Sequence, residues 1–176
     1  MLRGTLILLT LLAAIPLWGQ KSTKDPLTEA ESEEIREVAD RPPERVKLYL
    51  HFIEQRTTVI SQIAKNPSRG EQLHLLFDEF TSLVDELQDN LDVYSTTHAD
   101  IRKALQEVLD ASSKWPGILN APAASHAYDF TRKTALDASV SATDQAKSIL
   151  TEQEVYFSKE KVKERKKAAE SGASVN

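Results

Sequence analysis

A helical repeat of apolar residues between positions 70 and 94 constrains the fold more than any other feature of this chain. At about 100° per residue, one side of the predicted helix carries Leu73, Leu76, Phe80, Leu83, Leu87, Leu91 and Tyr94. The opposite side carries Asp78, Ser82, Asp85, Asp89 and Asp92. Such a stripe packs against a core while the charged side stays in water. The sequence therefore predicts a helix whose aspartates are solvated.

The composition extends this helical prediction to the whole chain. Five glycines in 176 residues, together with few aromatic residues, favour helices over a sheet. The absence of cysteine excludes disulfides and thiolate metal sites. We predict an all-α fold, an antiparallel four-helix bundle with a short extra N-terminal helix and a long, charged C-terminal helix. The four main helices are expected at about 43–65, 70–94, 97–115 and 122–160.

Capping and proline signals define the first two helices. The segment from Thr28 to Glu31 matches a capping box, and Pro42 and Pro43 end the short helix near Asp40. The second helix has two apolar sides, one with Val46, Leu50, Ile53, Thr57, Ile60 and Ala64, the other with Leu48, Phe52 and Val59. Two apolar sides require two neighbours, or an oligomer interface on one side. We favour a central position in the domain.

The two later helices are predicted from weaker signals. Thr97 and Asp100 resemble a helix start, and "WPGILNAP" (115–122) indicates a break. The inner face between them carries Ile101, Ala104, Leu105, Val108, Ser112 and Trp115. The last helix has a seam of small residues, with Ala135, Ala138, Ala142 and Ala146 followed by Ile149. Because small residues bury little apolar area, this seam is expected to stabilise the fold less than leucines would.

Residues 1–19 have the pattern of an export signal. Arg3 precedes an apolar run from Leu6 to Leu17, which at about 12 residues is shorter than the roughly 20 that span a bilayer. Gly19 offers a cleavage point. We predict an exported protein, periplasmic or secreted after cleavage near Gly19. An uncleaved anchor is the alternative interpretation.

The mature chain is predicted to contain a polar linker (20–27), a helical bundle domain (28–158) and a basic helix extension with a disordered tail (159–176). Residues 159–170 carry a net charge of +3, and residues 20–158 carry −9. The acidic body and the predicted export argue against nucleic-acid binding. Peripheral membrane contact is an expectation for the basic extension, because apolar residues precede its lysines. The extension is also expected to pair with the acidic face of the third helix, within one molecule or between two.

Two carboxylates and a histidine near the start of the third helix are the candidates for a metal site. Di-iron bundles use a Glu from each of two helices and a Glu-x-x-His pair from each of the other two, all directed into the core. Here Glu71 and His74 form one such pair, and both lie on the solvated side beside Asp78. Exposed carboxylates bind ions weakly unless a second element completes the coordination shell. We interpret the three residues as part of a solvated face and predict no metal, cofactor-binding or catalytic residue.

The remaining chemistry-bearing residues give little support to catalysis. His51 and His126 are the candidates for an inward haem ligand, although a partly buried imidazole without a ligand is the simpler interpretation. Covalent haem is excluded because the chain has no Cys-x-x-Cys-His motif. Ser158 and Lys161 match Ser-x-x-Lys, but the companion motifs of enzymes that use this pair are missing. The sequence therefore predicts a protein that is not an enzyme.

No motif ties the chain to a characterised family. We predict a non-catalytic interaction or structural module of the cell envelope, with an unknown protein partner or self-association. Three surfaces are candidates: the acidic face of the third helix, the second apolar side of the second helix and the basic C-terminal segment. The alternative is a small-ligand, metal or haem carrier that uses the bundle interior.

Overall fold

The computed structural model describes residues 25–172, except for the side chains of Pro67 and of residues 168–172. Within this range the chain forms helices and turns without a β-strand, which confirms the all-α class. The helices are α1 (Glu29–Glu37), α2 (Pro42–Ile63), α3 (Gly70–Thr96), α4 (Arg102–Ser112), α5 (Trp115–Leu119) and α6 (Asp129–Gly172), with a 3₁₀ turn at Pro67–Arg69. The predicted export signal, residues 1–19, lies outside the described residues, as do residues 20–24 and 173–176.

The predicted orientation of α3 is confirmed. Its core side contributes the buried residues Leu73, Phe77, Phe80, Leu83, Val84, Leu87, Leu91 and Tyr94. Its exposed side carries Asp78, Asp85, Asp89 and Asp92. Such an arrangement follows from the helical repeat alone, because the apolar residues can leave water only if this side faces the core. The carboxylates do not converge on an interior site.

The predicted capping box and the central position of α2 are both observed. The Thr28 hydroxyl accepts from the Glu31 amide at 3.2 Å, and the Glu31 carboxylate accepts from the Thr28 amide at 2.8 Å.

Helix α2 packs against α1, α3, α4 and α5. Phe52, on the second apolar side, is buried, and Leu48 packs half-buried against the core. Residues of the same chain therefore cover the side of α2 that was predicted as an interaction surface, which leaves little of it for a partner.

The fourth helix is shorter than its predicted range of 97–115. Thr97 ends α3 instead of beginning α4, and His98 adopts a positive φ of 55° in the turn that follows. Asp100 accepts a hydrogen bond from the Arg102 amide at 3.3 Å, so the aspartate rather than the threonine supports the start of α4. The predicted inner-face residues are all buried: Ile101, Ala104, Leu105, Val108, Ser112 and Trp115.

The predicted break at 115–122 contains the short helix α5. Pro116 lies in its first turn, where a missing amide hydrogen costs nothing. Helix α6 begins at Asp129, several residues after the predicted start, because residues 125–128 form a turn. In this turn the Ser125 amide donates to the Asp129 carboxylate at 2.9 Å.

Helix α6 is the longest element, and it buries the predicted seam of small residues except Ala138, which is only half-buried. Ala135, Ala142, Ala146 and Ile149 are buried, together with Ser139 and Gln153, which the sequence analysis did not include. The seam packs against both α3 and α4. Since alanine and serine side chains are short, both neighbours can approach the α6 backbone closely. The helix then continues beyond the core to Gly172.

Two of the four neighbouring pairs of long helices run antiparallel. Tyr49 contacts Glu86, and Arg56 contacts Glu79, so α2 and α3 run in opposite directions. Helix α4 is antiparallel to α6, since its start lies beside Gln153, near the far end of the packed part of α6.

The other two neighbouring pairs run parallel, which differs from the predicted antiparallel neighbours. His74 contacts Thr131, and the Gln88 carbonyl accepts from Gln145, so α3 and α6 share one direction. Helix α4 packs against α2 and α6 rather than beside α3, its neighbour in sequence. The turn through His98 carries the chain across the end of the core. A short connection therefore does not make α3 and α4 adjacent here.

Candidate functional site: an open cleft beside the second helix

A cleft of about 420 Å³ lies between α2 and the α4–α5 segment. Its floor consists of buried or half-buried side chains, namely Leu50, Thr57, Ala111, Trp115 and Ile118. Its rim consists of exposed polar and charged side chains, namely Lys47, His51, Glu54, Thr58, Ser61, Glu107, Asp110 and Lys114. We call this groove the α2–α4 cleft. It combines an apolar floor with a charged rim, which is the general form of a binding site.

The parallel course of α2 and α4 positions this cleft. At one end the two helices are joined by an ion pair, with Lys47 Nζ 2.9 Å from Glu107 Oε1. Beneath the floor, Trp115 packs edge-on against Phe80, with ring centroids 5.4 Å apart. The indole anchors α5 to the core, and the groove between α2 and α5 remains open above it. The cleft is thus a consequence of how the core packs.

The rim carries both signs of charge. Lys47 and Lys114 oppose Glu54, Glu107 and Asp110. On the α2 side, His51 Nε2 lies 2.9 Å from the side-chain nitrogen of Gln55. This rim offers both hydrogen-bond donors and acceptors around the apolar floor. It suits a partner that is itself amphipathic and carries charges of both signs.

The residues weighed as a metal site do not assemble into one. His74 Nε2 lies 3.4 Å from Asp78 Oδ2, and both side chains are about half exposed. The second ring nitrogen of His74 faces the Thr131 hydroxyl at 3.3 Å, and Glu71 is exposed. Across the described residues, no group of three His, Cys, Asp or Glu side chains is arranged to hold a metal ion.

The two histidines weighed as haem ligands are both exposed. His51 lies on the rim of the α2–α4 cleft, and His126 lies in the turn before α6. Neither imidazole points into the core, because each position falls outside the buried side of its segment. The Ser158 hydroxyl donates to the Val155 carbonyl at 2.9 Å, and Lys161 is exposed. The structure does not bring these two residues into a nucleophile–base pair.

An ionic network that the sequence pattern did not predict joins α1, α2 and α3. Arg56 donates to Glu31 with N–O distances of 2.5 and 2.9 Å, and to Glu79 at 3.2 Å. It also donates to the Pro26 carbonyl at 2.9 Å, which fixes the segment before α1. The Arg56 and Glu31 side chains are only 12% and 10% exposed. The one signal in the sequence was an arginine one helical turn after Phe52, on an otherwise apolar side.

This network changes the acidity of Glu31. The hydrogen bonds from Arg56, opposed in part by burial, lower the pKa of the Glu31 carboxyl from its ordinary value of 4.5 to about 2. Charge-assisted pairs of this kind are strong because the guanidinium presents several donors in fixed geometry. The network ties α1 to the body of the protein and does not line the α2–α4 cleft.

A second polar contact crosses the same two helices closer to the start of α2. The Tyr49 hydroxyl donates to Glu86 at 3.0 Å. Burial raises the pKa of both groups, and the neighbouring Glu86 charge raises that of Tyr49 further. Tyr49 is buried and Glu86 is half-buried, and their contact links α2 to α3 without forming an open site.

No family model, curated protein sequence or solved structure matches the chain. Within residues 25–172, no helix combines the length and hydropathy needed to cross a bilayer. The fold and the site therefore define the class: an all-α protein with an open, mixed-character cleft on its surface.

Proposed function

We propose that this protein is a non-catalytic interaction module of the cell envelope, exported by its first 19 residues, and that it binds a protein partner in the α2–α4 cleft. The observation that carries this proposal is the composition of the cleft, an apolar floor of Leu50, Trp115 and Ile118 inside a rim of charges. An amphipathic segment of a partner would bury apolar side chains on the floor and pair its charges with the rim.

The packing of the long helices is part of the proposal. We propose that α2, α3, α4 and α6 form a four-helix bundle whose rigid core holds the cleft open. The contacts of α2 with α3 and α4, and of α6 with the same two helices, support this arrangement. A rigid frame reduces the entropy lost when a partner binds, which favours recognition over induced folding.

Two features favour a binding role over catalysis. The nucleophile and histidine candidates are scattered over exposed positions, and the strongly perturbed carboxyl, Glu31, is engaged by Arg56 away from the cleft. The cleft rim carries exposed charges, among which Lys47 pairs with Glu107.

The proposal is tested by filling the cleft. Ala111→Trp places an indole on its floor, and Val140→Trp makes the same change on the exposed side of α6, where Val140 is 56% exposed. Native mass spectrometry of protein recovered from its own cell envelope would report the mature mass and any bound partner. We expect cleavage near Gly19, with a stoichiometric partner retained by Val140→Trp and lost from Ala111→Trp. A partner that binds both variants equally would contradict the assignment of the cleft.

A small-ligand carrier is the second candidate, because about 420 Å³ also falls within the range of small-molecule pockets. The same mass spectra would show a bound small molecule or metal, and absorbance in the Soret region would show haem. Large buried side chains such as Phe52, Phe77 and Phe80 occupy the core, so any such ligand is expected in the cleft rather than in the bundle interior. A ligand retained by Ala111→Trp would place it elsewhere.

A further inference from the structure

The last part of α6 extends beyond the packed body of the protein. Among the α6 side chains that the structure describes, which end at residue 167, Gln153 is the last buried one; its amide group bonds to the Ile101 amide and the Ala99 carbonyl at the start of α4. The helix continues for a further 19 residues to Gly172, about 28 Å at the rise of an α-helix. We call residues 155–167 the C-terminal arm.

The base of this arm is fixed by aromatic contacts. The His98 ring stacks on Tyr156 with centroids 4.0 Å apart, and the Arg102 guanidinium lies 4.6 Å from the centroid of Phe157. Both contacts come from the turn between α3 and α4 and from the start of α4. The arm therefore leaves the body in a defined direction, although its own outer residues are exposed.

The charges of the arm are arranged around an exposed apolar stripe. Val155 and Val162 are 47% and 51% exposed and lie on one side of the helix. Four bases lie within about 90° of this stripe at 100° per residue: Lys159, Lys163, Arg165 and Lys166. Glu160 and Glu164 lie roughly opposite, about 150–170° away. One face of the arm is thus both basic and partly apolar.

The acidic face of α3 complements this face of the arm. It carries Asp78 and, two turns further along, Asp85, Asp89 and Asp92, all exposed. Two apolar residues beside it, Leu75 and Val93, are 50% and 56% exposed. The acidic face is about 21 Å long and the arm is about 18 Å long, at the rise of an α-helix. The two surfaces have similar lengths and opposite charges, and each includes exposed apolar residues.

The arm cannot reach the acidic face of its own chain. Because α3 and α6 run parallel, Gln145 already lies beside Asp92, with a 2.6 Å hydrogen bond between them. The arm begins ten residues further along α6, beyond the end of α3 at Thr96, and points away from the acidic face. Any pairing between the two surfaces must therefore join two molecules.

We propose that the protein forms a two-fold symmetric dimer in which the C-terminal arm of each chain lies antiparallel along the acidic α3 face of the other. The interface is self-complementary, so it closes at two chains. The distribution of charge favours a second copy over an anionic lipid surface, because residues 20–158 carry a net charge of −9 and would be repelled by such lipids. The dimer is independent of the α2–α4 cleft.

The test is a charge swap in the full-length chain. The arm variant is Lys159→Glu/Lys163→Glu/Lys166→Glu, and the face variant is Asp78→Lys/Asp89→Lys. Sedimentation velocity at about 50 mM salt should show a dimer for the unchanged protein and a monomer for each variant alone. An equimolar mixture of the arm variant and the face variant should form the dimer again. At about 0.5 M salt the dissociation constant of the unchanged dimer should rise at least about tenfold.

The matched control changes acidic residues on another exposed side. Asp137→Lys/Asp144→Lys alters the net charge as the face variant does, but lies on the outer side of α6, and should leave the dimer intact. Ala111→Trp should also dimerise normally, which separates this proposal from the one on the cleft. A monomer at both salt concentrations would overturn the dimer. So would a mixture of variants that stays monomeric, or a monomer that instead sediments with phosphatidylglycerol vesicles.

Discussion

Glu31→Gln is the substitution whose effect the structure specifies most closely. Glutamine has the shape of a protonated glutamate, and it retains the capping-box contact with the Thr28 amide. What it loses is the charge paired with Arg56 and one of the two oxygens that accept from the guanidinium, since an amide nitrogen can only donate. A pKa lowered from 4.5 to about 2 corresponds to about 3 kcal/mol of folding free energy at neutral pH. We therefore expect Glu31→Gln to reduce the free energy of unfolding by about 3 kcal/mol at neutral pH.

The pH dependence provides a second, independent expectation. Because the folded pKa of Glu31 lies below its unfolded value, its contribution is fully present above pH 4.5 and is lost as the pH falls towards 2. The stability difference between the unchanged protein and Glu31→Gln should therefore fall to about half near pH 3 and nearly vanish near pH 2. Other carboxyls, including Glu86 with its raised pKa, titrate in both proteins and so cancel in the difference.

The matched control is Glu33→Gln, two residues along the same helix. Glu33 pairs with Arg36, but those side chains are 60% and 68% exposed, and such pairs contribute roughly 0–1 kcal/mol. Urea unfolding followed by circular dichroism measures both variants across pH. Hydrogen exchange of the amides in residues 29–37 shows whether α1 opens locally before the rest. The reasoning would be refuted if Glu31→Gln and Glu33→Gln lowered the free energy of unfolding equally. It would also be refuted if the stability difference between the unchanged protein and Glu31→Gln persisted at pH 2.

Three further predictions concern the packing of the helices. Ala142→Leu in the buried seam should cost about 1–3 kcal/mol in urea unfolding, whereas Val140→Leu on the exposed side should change stability by less than about 0.5 kcal/mol. Gln153→Met should cost about 1–3 kcal/mol because the Ile101 amide loses its acceptor; a loss below the error of the same assay would count against this. His98→Ala should be less stable than His98→Gly by about 1 kcal/mol, since both lose the ring but only alanine is strained at a φ of 55°.

The elements that a periodic pattern defines could be predicted from the sequence. The apolar stripe of α3, the seam of α6 and the capping box at Thr28 each depend on residues within a few turns of one another. Periodicity identifies which side is buried because apolar area leaves water only on one side. The starts of α4 and α6 were misplaced because caps and turns compete locally. Asp100 and Asp129 each accept a backbone amide that the pattern could not assign.

The candidate site could not be predicted, because its walls are far apart in sequence. Leu50 and Thr57 come from α2, whereas Ala111 and Ile118 come from α4 and α5. Nothing in either segment indicates that it borders a groove. The Arg56 network is a similar case, since the residues it joins are 23 and 25 positions away. The candidate residues that the sequence does indicate lie elsewhere, with Glu71 and Asp78 exposed and His74 half-exposed on the outer side of α3.

Which helices become neighbours in space depends on a few single contacts, and single contacts produce no repeating pattern in the sequence. A short connection normally makes consecutive helices antiparallel neighbours, but here α4 lies against α6 and α2. His98, in the left-handed conformation, redirects the chain after α3. The Gln153 side chain then donates to the Ala99 carbonyl and accepts from the Ile101 amide. Those polar groups would otherwise be buried without partners, at a cost of about 1–3 kcal/mol each. The same turn supplies the ring that stacks on Tyr156, so the feature that places α4 also fixes the direction of the C-terminal arm.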